Sequence, residues 1–142
     1  MALTSKASTT WTGNLPDGSG RTSLDSSGQG TFDVSWQARA EAHGGTTNPE
    51  ELIAAAHASC YSMAFAGALG KNGTPPTQLD TSAEVTFDPT GPAITGIHLT
   101  VRASVEGLDE SDFQRMAEGA KEGCPVSKAL AGTEITLTAE LV

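Results

Sequence analysis

The run from Asn48 to Lys71, "NPEELIAAAHASCYSMAFAGALGK", limits most strongly what this chain can fold into. Asn48 is a good helix cap, Pro49 suits the first helical position, and Glu51 stands where a capping-box acid would. Gly70 with Lys71 supplies a stop. Between them Leu52, Ile53, Ala54, Ala55, Ala56, Ala58, Met63, Ala64, Phe65 and Leu69 fall on every side of the helical projection. A surface helix carries one apolar stripe, whereas a helix apolar all round is a buried one. The many alanines let other backbones approach closely. The expectation is a central, buried helix with Cys60 in its middle.

The flanking segments read as strands and shorter helices. "ASTTWTG", "RTSLDSSGQG" and "TFDVSWQAR" are polar strands joined by turns, and Phe32, Val34 and Trp36 alternate as a half-buried strand does. "AEVTFDPTGPAITGIHLTVRASV" reads as a hairpin that turns at Asp88 to Gly91, with Ile97, Leu99, Val101 and Val105 alternating. Asp109 caps a helix whose stripe is Phe113, Met116, Ala117 and Ala120, and Pro125 opens a second, short helix. "EITLTAELV" closes as a strand, with Ile135, Leu137 and Leu141 on one face. The order βββ–α–ββ–αα–β predicts an α+β fold with a largely antiparallel sheet. The 142 residues suit one domain spanning 1–142, which would bury roughly 70% of the unfolded surface. Only 37% of them are hydrophobic. So thin a supply of core residues points to an oligomer that shares its core.

Charge and composition exclude several classes. The formal net charge is −9, with no basic run. Nucleic acid and anionic membranes, held mainly through Lys and Arg, are therefore poor partners. "MALTSKASTTW" has no apolar signal region, and no stretch is read as transmembrane; a cytoplasmic protein is expected. Two cysteines are too few for a disulfide framework, and His43, His57 and His98 show no metal-ligand spacing.

The two cysteines differ in setting. Cys124 directly precedes Pro125, so it stands at a helix N-terminus, where unpaired N–H groups favour a thiolate. Cys60 is mid-helix and gains nothing of that kind from its own helix; if it reacts, a cation must come from elsewhere. His57, three residues before Cys60, is open to two readings: a base for that thiol, or a core residue hydrogen-bonded to a backbone group. Arg39, ending a strand before the Gly-rich loop, is a candidate cation, and Glu50 a candidate partner for it. Yet Glu50 and Cys60 lie ~15 Å apart along an ideal helix. Either Glu50 acts at the helix mouth, or a second subunit brings its own Glu50 to Cys60.

"TNPEELIAAAHASCYSMAF", followed by Cys124 in "GCPVSKAL", resembles the OsmC/Ohr family of osmotically inducible and organic hydroperoxide resistance proteins. The likeness runs through essentially the whole chain. "AAHASC" and the position of Arg39 in "SWQAR" resemble the OsmC branch. The other branch usually has an aromatic residue at the position of His57 and takes its arginine from the earlier Gly-rich link, where Arg21 is the candidate here. The resemblance implies a thiol peroxidase built as an interlocked homodimer with two long helices at its centre. By motif, Cys60 would be the peroxidatic cysteine, Cys124 the resolving one, and Arg39 with Glu50 the charged pair organising the site. It implies no metal, flavin or haem; an organic hydroperoxide is the substrate, and an external dithiol, such as a protein-bound lipoyl group, the reductant. Two readings from other classes remain: a cysteine-based redox sensor, and a ligand-binding dimer with inert thiols.

Overall fold

Short strands rich in Ser and Thr, separated by glycine turns, occupy the N-terminal part of the computed structural model, which describes residues 1–142. They belong to the first of two units, Met1–Leu52; the second is Ile53–Val142. In the first unit β1 (Ser8–Thr12), β2 (Ser19–Ser23) and β3 (Thr31–Val34) form an antiparallel sheet in chain order. A Cβ on Gly20 of β2 would come within 2.7 Å of both the Trp11 ring and Val34. Glycine there lets side chains of both neighbouring strands close over β2.

The strand predicted to run on to Arg39 ends at Val34, and a short helix, α1 (Trp36–Ala40), follows. Ser35 makes the switch. Its backbone is extended and its hydroxyl accepts the Ala38 N–H at 3.2 Å, an N-cap, while the residues after it include no β-branched side chain. Arg39 therefore stands on a helix rather than at a strand end, and the element order becomes βββ–αα–ββ–αα–β. Ala38 is the one buried hydrophobic side chain of this unit, and Trp11 and Phe32 remain 39% and 41% exposed.

The long helix α2 (Pro49–Lys71) starts in the first unit and continues through the second. The Asn48 side chain caps it, accepting the Glu51 N–H at 2.7 Å. It ends at Lys71, as the Gly70–Lys71 stop implied, but the left-handed glycine that closes it is Gly73. Gly73 has φ +81°, and the Thr74 and Gly73 N–H groups bond the Leu69 and Gly70 carbonyls at 3.0 Å each, a Schellman ending that favours glycine. Burial within the chain also differs from the all-round expectation. His57, Tyr61, Phe65 and Leu69, one per turn, are fully buried, whereas Met63 is 74% exposed. The chain covers one face of α2 only. By length and composition this helix could cross a bilayer, contrary to the reading of the sequence. However, its stripe carries a buried histidine and packs into a protein core, as the core helix of a globular unit does.

In the second unit β4 (Gln78–Asp88) and β5 (Ala93–Ser104) form the predicted hairpin, with a bulge at Thr86/Phe87. β6 (Ile135–Leu141) pairs with β5 in parallel, because α3 (Glu110–Gly123) and α4 (Pro125–Ala129) carry the chain back across the sheet. The remaining pairs are antiparallel. Asp109 caps α3 as expected, and Phe113, Ala117 and Ala120 form its buried stripe. Leu99, Val101 and Ala103 of β5 meet Tyr61, Phe65, Phe113 and Ala117 in the core. The Tyr61, Phe65 and Phe113 rings stack in tilted succession at 5.7 and 5.6 Å.

Candidate functional site

The four residues singled out in the sequence come together as two pairs, one in each unit. In the first unit, Glu50 lies in the opening turn of α2, where the helix dipole favours a carboxylate. Its carboxylate accepts Arg39 Nε at 2.9 Å and Nη2 at 3.0 Å, a bidentate pair. Glu50 is almost wholly buried, while about a third of the Arg39 side chain is exposed. Asn48 braces the pair: besides capping α2, its side-chain amide donates to the Ala38 carbonyl at 2.6 Å, tying α1 to the start of α2. Arg21, the other candidate cation, faces Asp33 across β2 and β3 at 3.2 Å with both side chains well exposed.

In the second unit, Cys60 and Cys124 are free thiols with their sulfurs 3.1 Å apart. Cys124, fully buried, ends α3 and caps α4. Its own N–H bonds back to Ala120 at 2.9 Å, and Pro125 begins the next helix. Burial pushes the Cys124 thiol up, but the polar groups around it outweigh that, the Ser127 backbone N–H at the start of α4 first and Cys60 next. Cys124 therefore lies below the ordinary thiol value. Cys60 moves the other way, raised by burial and then by its bond to Cys124, against a smaller lowering from the Val126 N–H. Taken by itself, the second unit makes Cys124 the readier thiolate, because the start of α4 favours Cys124 most and none of the groups acting on the two sulfurs is a cation.

His57 is not paired with Cys60. It is fully buried, and its Nε2 meets Ser127 Oγ at 2.7 Å. Burial holds its pKa below the ordinary value, so it is neutral. The core reading of His57 thus holds, with a hydroxyl as its partner rather than the backbone group expected. Ser127 escaped the reading of the sequence, although its place at the third position of a helix capped by Cys124 was the available signal: that position turns back toward the cap. Between α2 and α3 a groove of about 610 Å³ is lined by Met63, Ala64, Met116 and Ala120 together with Lys71 and Arg115, and neither cysteine lines it.

Comparison with known proteins finds likeness in both sequence and fold. The family model described as OsmC-like protein matches residues 42–140. The chain is 42% identical to Peroxiredoxin OsmC of Escherichia coli (strain K12), over 99% of each chain. It is 35% identical to an organic hydroperoxide resistance protein of Xanthomonas axonopodis pv. citri, over 68% of this chain and 69% of that one. Among solved structures, the organic hydroperoxide resistance protein OhrB of Bacillus subtilis superposes with a TM-score of 0.67 at 26% identity, covering 99% of this chain and 98% of that one. A Legionella pneumophila structure described as an organic hydroperoxide resistance protein OsmC gives 0.73 at 23% identity over 99% of both chains, a likeness of fold.

Proposed function

Because the chain belongs to the OsmC-like family, we propose that it reduces organic hydroperoxides to alcohols, with Cys60 as peroxidatic and Cys124 as resolving cysteine. The observation that carries this reading is the pair of free thiols 3.1 Å apart, one of them held at a helix start. The Cys60 thiolate attacks the terminal peroxide oxygen and the O–O bond breaks. The departing alkoxide takes a proton and leaves as the alcohol, and Cys60 becomes a sulfenic acid. Cys124, as thiolate, then attacks the Cys60 sulfur and expels hydroxide, which leaves as water. An external dithiol reduces the resulting disulfide by exchange and is itself oxidised. The reaction needs no metal or organic cofactor, and the cytoplasm is the compartment that would supply such a dithiol.

Cys60 needs a cation to be the thiolate in the first step, since its own unit raises it. Arg39, oriented by Glu50, is the residue we assign to that task, supplied from a second copy in an interlocked homodimer. Two observations favour the dimer. The first unit buries a single hydrophobic side chain, and α2 exposes apolar residues such as Met63 opposite its buried stripe. The guanidinium would stabilise both the Cys60 thiolate and the charge developing on the leaving alkoxide. Once Cys60 is a neutral sulfenic acid, Cys124 no longer faces a like charge, and the donors around it favour its thiolate. Apolar side chains packed around Cys60 would favour organic hydroperoxides over hydrogen peroxide.

Stopped-flow oxidation by cumene hydroperoxide and by hydrogen peroxide, followed by turnover with dihydrolipoamide or with thioredoxin, tests the reading. Faster reaction with the organic peroxide and sustained dithiol turnover are expected. Thiols inert to both peroxides in the folded protein would reduce the molecule to a non-catalytic dimer.

A further inference from the structure

Two reduced sulfurs held 3.1 Å apart form a bidentate ligand as well as a redox pair. The fold alone brings them together, across 64 residues of chain. Thiolate sulfur is a soft donor, so the centres it selects are soft ones. The pair has no help from other ligands: no group of three or more His, Cys, Asp and Glu side chains is arranged to hold a metal. His57, one turn from Cys60 on α2, is committed through Nε2 to Ser127 Oγ at 2.7 Å. A structural zinc site, which takes four protein ligands, is therefore not built here. The sulfur spacing narrows the choice further. With bonds of about 2.3 Å to each sulfur, the zinc–thiolate length, a linear centre separates its sulfurs by about 4.6 Å, a tetrahedral one by about 3.8 Å and a right-angled one by about 3.3 Å. The right-angled bite is the closest to the spacing found, and it is that of trivalent arsenic, which forms three bonds in a pyramid beneath a lone pair. Packing opposes a wider bite, since Cys124 is fully buried and Cys60, like Ala64, Met116 and Val126, is packed against the same core.

We propose that the reduced Cys60–Cys124 pair is a chelating site for organic arsenic(III) compounds of the form R–As(OH)2. Binding is a double condensation with no change of oxidation state. Cys60, the only one of the two with surface open to solvent, reacts first. An As–S bond forms, an As–O bond breaks, and the thiol proton leaves with the hydroxyl as water. Cys124 closes the ring in the same way and releases a second water. The product, arsenic bonded to both sulfurs and to the carbon of R, carries no net charge, so nothing charged is left in the apolar core. A divalent cation on the same two sulfurs would need further donors to complete its shell, and this core supplies none. The third bond of arsenic goes to carbon, and the apolar side chains around Cys60 favour an organic substituent there over the hydroxyl of inorganic arsenite. The site asks nothing of peroxide chemistry and stands separately from the peroxidase reading.

Phenylarsine oxide, added anaerobically to the reduced protein, is the probe, with uptake followed by intact mass and by thiol counting. One arsenical per chain and the loss of both thiols are expected. Cys60→Ser and Cys124→Ser should each weaken uptake by at least about 100-fold, the loss of a second linked attachment. Cys124→Ala repeats the second measurement without placing a new hydroxyl in the core. Unfolding in urea should weaken uptake as well, because only the fold brings the two sulfurs together. Dihydrolipoamide, itself a dithiol, should release the arsenical, whereas glutathione at the same thiol concentration should not. Inorganic arsenite should bind more weakly than the phenyl compound, and excess zinc should displace neither. No uptake, one thiol consumed per arsenical, affinity unchanged in either single-cysteine chain, or displacement by zinc overturns the proposal. A chain that takes up the arsenical on both thiols and yet leaves organic hydroperoxides unreduced upholds this site and overturns the peroxidase reading instead.

Discussion

Arg39 with Glu50, and Cys60 with Cys124, are pairs of similar closeness built in dissimilar surroundings. The charged pair belongs to a unit whose one buried hydrophobic side chain is Ala38, and it is fixed by hydrogen bonds and helix caps. The thiol pair belongs to a unit with three stacked aromatic rings and a buried β5 face, and packing fixes it. The difference teaches where activation comes from. A well-packed apolar core places two sulfurs 3.1 Å apart, but the same burial pushes Cys60 away from the thiolate form. The pair that we propose reverses this is held where little core exists, with about a third of the Arg39 side chain exposed.

That contrast can be broken by substitution at either pair. Cys60→Ser should reduce peroxide turnover to the uncatalysed level, while Cys124→Ser should stop after one equivalent of peroxide; single-turnover thiol counting reads both. Arg39→Ala should slow Cys60 oxidation by about 10²–10³-fold, the loss typical of a donor to developing oxyanion charge. Its cost in stability should be about 1–3 kcal/mol, from leaving the Glu50 carboxylate unpaired. An unchanged oxidation rate would move the assignment to Arg21. Phe65→Ala inverts the pattern, with a predicted loss of ~3–5 kcal/mol in denaturant unfolding from the core that sets the sulfur spacing.

The smallest expected effect is on acid stability. His57 is depressed in the folded state relative to 6.5, so below that value the unfolded chain binds the extra proton. Its contribution is complete above pH 6.5 and is lost as pH falls toward the folded value. His57→Gln should flatten that part of the stability profile, as measured by urea titrations at a series of pH values.

Much of this was legible in the sequence because it was local. Asn48 and Asp109 announce their helices, Pro125 marks the start of α4 and the setting of Cys124, and alternation along β5 marks its buried face. The misreadings arose where two local signals overlapped. Phe32, Val34 and Trp36 alternate, yet the Ser35 cap ends the strand between them. The helix end at Lys71 was legible, but the glycine that closes it in the left-handed region is Gly73 and not Gly70. The parallel β5–β6 pair and the Ser127–His57 bond join residues far apart in the chain, which no local pattern encodes. The all-round apolarity of α2 was read correctly as composition, but the single chain buries only one stripe of it. The rest is the surface that the proposed homodimer would cover.

Mixed dimers test that last point most directly. Arg39→Ala and Cys60→Ser chains, each inactive alone, are unfolded together, refolded at equal concentration and assayed for organic hydroperoxide turnover. With the site shared across a two-fold axis, half the dimers are mixed and each has one intact site, so activity should return to about a quarter of the unsubstituted level. Mixtures that stay as inactive as their parents, while sedimentation shows that mixed dimers have formed, would contradict a site completed by the partner's arginine.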